Sequence, residues 1–112
     1  MKFVTNQGNY EQAMNKEQRM NILLRDKYQC QGCGNVSSLE VHHVFYGNNR
    51  KFSDKYEECM VTLCHKCHHG IHSIGKLENR ELDNKLKQMC QRRFEEQYGH
   101  ERFIQECGQN YL

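Results

Sequence analysis

Cys30 and Cys33 form one C-x-x-C pair, and Cys64 and Cys67 form a second far along the chain. The turn inside each pair brings both sulfurs to one side, so each pair can supply two corners of a tetrahedral zinc site. A zinc held by both pairs ties the start of the intervening hairpin to its end. Its four sulfur ligands leave no coordination position open, which makes the role structural. The odd total of seven cysteines argues against a closed disulfide set. A redox C-x-x-C needs a βαβ context that this sequence lacks.

A metal staple suits the composition. The chain has 112 residues, of which 37% are hydrophobic, with no Trp and no Pro, so an apolar core alone is thin. The segment 1–15 is polar, without the apolar stretch of a signal peptide, and no run reaches the length of a transmembrane helix. The expectation is a cytoplasmic protein with no membrane partner. The formal net charge of +2 does not by itself demand a nucleic acid.

One domain over residues 1–112 is the economical reading. It comprises a polar arm (1–15), a helix followed by the metal-binding core (16–76) and a helical extension (77–112). Asn15 is placed to cap a helix over Lys16 to Lys27, with Met20, Leu23, Leu24 and Tyr28 at helical spacing. "VHHVF" marks a strand from Leu39 to Phe45. A polar loop is expected from Tyr46 to Glu58, and a second strand from Cys59 to Cys64. "HKCHHGIHSIG" begins a helix that Gly70 weakens by up to ~1 kcal/mol and Gly75 ends. Leu77 to Tyr98 reads as a long helix closed by Gly99, followed by a short amphipathic piece and a tail. Cys90 and Cys107 are assigned to packing.

Six of the seven histidines fall between His42 and His72, a concentration that composition alone rarely produces. His68 and His72 stand four apart and share a helix face, where two imidazoles can bind one divalent metal. His65 and His69 have the same spacing and are the rival pair. His68 and His72 are preferred, because the pinned Cys67 holds His68 near the hairpin. A third ligand can come from the strand. Adjacent strand positions point to opposite faces, so one histidine of the doublet can bind metal while the other stays free as a general base.

Taken together, "LLRDKYQCQGCG", "LEVHHV" and "VTLCHKCHHGIH" resemble the HNH endonucleases over about Arg19 to His72. The resemblance implies a small α+β fold, a ββα-metal (His-Me finger) core with zinc knuckles, flanked here by an N-terminal helix and C-terminal helices. It implies His43 as the general base. It implies His42, His68 and His72 around a catalytic divalent metal, and Cys30, Cys33, Cys64 and Cys67 around a structural zinc. Cys59 stands by register where the family carries its middle Asn, which braces the loop bearing the base. Asn48 and Asn49 are the candidate substitutes for that brace.

The implied activity is metal-dependent hydrolysis of DNA phosphodiester bonds. Three imidazoles favour Mn, Ni or Zn over the oxygen-seeking Mg as the catalytic cation. Arg50 and Lys51 are the candidates for contacts with the nucleic-acid backbone. The C-terminal stretch is similar to small phage HNH proteins, which suggests a phage origin, a branched or single-stranded DNA substrate, and a recombination or packaging partner. Oligomeric state is open. The alternative is a zinc-binding nucleic-acid module, or an adaptor, with a vestigial HNH site.

Overall fold

The computed structural model describes residues 15–46, 49–73 and 77–112. The expected polar arm, apart from Asn15, lies outside the described residues, as do Asn48 and Gly75. Among them the chain forms a small α+β fold: a two-stranded antiparallel sheet and five α-helices. No helix among the described residues is long and apolar enough to cross a membrane.

Helix α1 (Lys16–Arg25) begins at Asn15, whose side-chain oxygen accepts the Gln18 N–H at 2.7 Å. Satisfying an orphan N–H in this way is what makes asparagine a good cap. The helix stops two residues short of Lys27, because Lys27 and Tyr28 take left-handed backbone angles, φ 58° and 53°. Its buried face also differs from the sequence expectation. Ile22 and Leu23 point inward, while Met20, Leu24 and Tyr28 are exposed. Ile22 packs on Val41 and Met60, covering one side of the hairpin.

Strands β1 (Leu39–His43) and β2 (Met60–Cys64) pair in a register that sets His42 against Val61 and His43 against Met60. All five residues of β2 are buried, so this strand is covered on both faces. β1 ends at His43 rather than Phe45. Beyond it, the Val44 N–H donates to the Cys59 carbonyl at 3.0 Å, and the Phe45 N–H donates to Ser53 Oγ at 3.0 Å.

The expected loop from Tyr46 to Glu58 contains structure. Helix α2 (Arg50–Lys55) is followed by a single 3-10 turn, Glu57–Cys59. One residue, Phe52, converts this polar run into a packed element. Its ring meets Phe45, Phe94 and Phe103 at centroid separations of 5.6, 5.4 and 5.6 Å. Aromatic rings at such separations contribute beyond their buried area.

Helix α3 (His65–Ile71) follows β2 directly, with Cys64 as its cap. Gly70 is accommodated by a close approach, since a Cβ there would stand 3.1 Å from Asn79 Oδ1 on the next helix. That helix, α4 (Leu77–Tyr98), matches the sequence expectation and buries Leu86, Cys90 and Phe94 at i, i+4 and i+8. Gly99 ends it with φ 90°. Helix α5 (His100–Cys107) then turns Phe103 and Cys107 into the same core. The tail is pinned to α4 by the fully buried Gln91, whose amide accepts from the Tyr111 N–H and donates to Asn110, each at 2.8 Å.

Candidate metal centres

The four sulfurs of Cys30, Cys33, Cys64 and Cys67 lie within 4.8 Å of one another. Cys33 and Cys64 stand 3.8 Å apart. Sulfurs at about 2.3 Å from a tetrahedral zinc are separated by about 3.8 Å, so the donor set fits that ion. Backbone N–H groups support it: Gly32 donates to Cys30 Sγ at 3.3 Å and Cys67 donates to Cys64 Sγ at 3.5 Å. Burial works to raise the Cys30 thiol, but hydrogen bonds from the Cys64, Cys33 and Gly32 backbones and from the Cys67 side chain bring it down to about 7. A thiol so lowered surrenders its proton readily to a metal. Gly32 is needed at the back of the cluster, where a Cβ would press on Cys67 Sγ at 3.1 Å and on Leu82 at 3.2 Å. These cysteines therefore stand close enough to hold a structural metal such as zinc, linking the segment before β1 to the junction of β2 and α3.

That junction aims the next group. His42, His68 and His72 each bring a ring nitrogen within 4.8 Å of the others. The ring centroids lie 5.0 Å apart for His42 and His68, 5.6 Å for His42 and His72, and 5.3 Å for His68 and His72. His42 is 1% exposed, and its Nε2 is buried with no hydrogen-bond partner among the described residues. An orphaned buried nitrogen is costly, and a metal ion is one of the few partners that would satisfy it. Burial, then the neighbouring His68, His72, His43 and Lys87, holds the His42 imidazole down to about 3. It is neutral and keeps a lone pair for coordination.

Two supports of this trio come from residues the sequence reading passed over. Glu40, two positions before His42 on β1, accepts from His68 Nδ1 at 2.6 Å through one oxygen and from His65 Nδ1 at 2.8 Å through the other. A carboxylate on Nδ1 fixes the tautomer that offers Nε2 to a metal. Tyr46 stacks its ring edge against His72 at 5.5 Å and donates its hydroxyl to Asp83 Oδ2 at 3.0 Å. Lys87 sits over the same ring at 4.8 Å and bonds Asp83 at 2.9 Å, so α4 backs the site. Only the alternation of Glu40 with His42 along β1 hinted at the first support. Nothing in the local sequence signalled the second.

His43 points elsewhere, as strand alternation requires. Its Nε2 lies 2.9 Å from Asp54 Oδ1 on α2. Arg50 Nε reaches the same carboxylate oxygen at 3.1 Å. Burial, and then the Arg50 charge, lowers the His43 imidazole against the opposing pull of Asp54. Arg50 and His43 line one open cavity of about 280 Å³ together with the three-imidazole cluster. Lys51 is exposed one position on and does not line that cavity.

Of the three brace candidates, Asn48 lies outside the described residues, and Cys59 and Asn49 are engaged elsewhere. Cys59 is fully buried in the core, and burial pushes its thiol far up. Asn49 donates its amide to Cys107 Sγ at 3.9 Å. Ser53 is a buried hydroxyl that accepts from the Phe45 N–H and donates to the Cys59 carbonyl at 3.2 Å. It clamps the end of β1 to the start of β2, immediately beside His43. The rival histidines, His65 and His69, lie outside the cluster, with nearly parallel rings at 6.0 Å.

Compared with protein-family models, with curated proteins and with solved structures, the chain matches none.

Proposed function

We propose that this protein is a metal-dependent endonuclease of the HNH kind, hydrolysing DNA phosphodiester bonds. The observation that carries the reading is the division of labour between adjacent histidines. His42 faces His68 and His72 in a cluster fit for a divalent cation, while His43 stays outside it and is oriented by a carboxylate.

In this mechanism the Asp54 carboxylate receives the His43 Nε2–H, which leaves Nδ1 as the basic nitrogen. Nδ1 takes a proton from water, the hydroxide oxygen attacks phosphorus, and the bond to the 3′ oxygen breaks. The leaving oxygen takes a proton from solvent, giving a 5′-phosphate and a 3′-hydroxyl. His42, His68 and His72 would hold a divalent cation, which would supply Lewis-acid stabilisation of the developing negative charge. Arg50 stands in the same cavity as His43 and offers its guanidinium to the DNA backbone, with the exposed Lys51 beside it. Such contacts give affinity without sequence preference.

The test is nicking of supercoiled plasmid in Mg, Mn, Ni or EDTA. Cleavage that requires a cation, with Mn or Ni at least equal to Mg, is the expected result. Salt-sensitive DNA binding with no cleavage in any cation would instead support the non-catalytic zinc module.

A further inference from the structure

We propose a second, solvent-facing site for a zinc- or nickel-class divalent cation on α3, formed by His65 and His69. Four observations meet there. His65 and His69 are four apart on one helix face, the spacing at which two imidazoles chelate one ion. Their ring centroids stand 6.0 Å apart, within reach of one shared ion once both rings turn edge-on to it. Glu40 treats His65 as it treats His68: one carboxylate oxygen takes His68 Nδ1 at 2.6 Å and the other takes His65 Nδ1 at 2.8 Å. His65 therefore has the preset tautomer of a metal ligand, with Nε2 outward, although it belongs to neither cluster described above. Both rings, with Glu40 and with His68 and His72 of the inner trio, also line one open depression of about 190 Å³.

The His65 side chain is 69% exposed, so solvent completes the coordination shell and the site is weaker than the two inner ones. A cation over the first turn of α3 meets the unfavourable end of the helix dipole. The Glu40 carboxylate offsets that field from directly behind His65. Sharing Glu40 joins the outer ion to the inner trio through a single side chain.

The test counts zinc bound by the folded protein at equilibrium in wild type, His69→Ala and His72→Ala. His69 makes no bond to Glu40, so its removal leaves the Glu40–His68 pair in place. The expected result is one equivalent fewer in His69→Ala than in wild type, with the cobalt-thiolate spectrum of the cysteine cluster unchanged. Equal zinc in wild type and His69→Ala would overturn the outer site. His72→Ala reads the inner trio separately, so failure of that trio leaves the comparison for His69 intact.

Discussion

Asp54 Oδ1 lies 2.9 Å from His43 Nε2, so α2 reaches across to orient the imidazole at the end of β1. In the proposed mechanism this pair leaves Nδ1 of a strand histidine to act as the base. It also sets a pH dependence. His43 is lowered from its ordinary 6.5, by burial first and then by Arg50, so it is neutral at pH 7. Cleavage should hold level on moving down from neutral and be lost only as pH falls below 6.5. In Asp54→Asn the upward pull of the carboxylate is removed, so the acid limb moves to still lower pH. The plateau rate should fall about tenfold or more as the tautomer is released. A pH–rate profile of both proteins checks both shifts.

Glu40 should matter through metal affinity rather than through chemistry. Replacing it by Gln keeps the shape but removes the charge that fixes His68. Metal affinity at the three-imidazole site is expected to fall about 10- to 100-fold. Zinc titration by calorimetry measures this, and saturating cation should restore most of the cleavage rate.

Ser53, through its side chain, links the segment after β1 to the residue before β2. Ser53→Ala leaves the Phe45 N–H buried without its acceptor and should cost about 1–3 kcal/mol of stability. Cys59→Asn forces an amide into a fully buried apolar site and is expected to destabilise by a similar amount without raising activity. Urea unfolding of the two variants, alongside nicking assays, tests the assignment.

Removing the cysteine cluster should dismantle the histidine site as well, because Cys67 immediately precedes His68 on α3. Cys30→Ser is expected to lose one zinc equivalent and to lower the thermal midpoint. Protons compete with zinc for the four sulfurs, so zinc retention should weaken on strong acidification. Metal analysis after dialysis at successively lower pH reads this directly.

The parts of the site that were legible in the sequence are those fixed by local spacing. The two C-x-x-C pairs and the His68/His72 pair are set by one turn of chain each, and the doublet by strand alternation. Helix α2 was hidden because its run is polar except for Phe52, whose partners Phe94 and Phe103 lie far along the chain. Asp54 was hidden for the same reason, since it is one acid among several until α2 folds against β1. The buried face of α1 was misread because periodicity marks an apolar stripe without saying which side meets the hairpin; Ile22 takes that place and Leu24 does not. Cys59, expected to open the second strand, lies in the 3-10 turn before β2, where burial leaves its thiol no part in the site.

The most direct measurement is the metal-dependent nicking rate of His43→Ala against wild type, with metal content determined on the same samples. The account predicts a fall of about 10²- to 10⁴-fold in the variant at unchanged metal content, the range expected for loss of a general base. Equal nicking by both proteins at equal metal loading would contradict it.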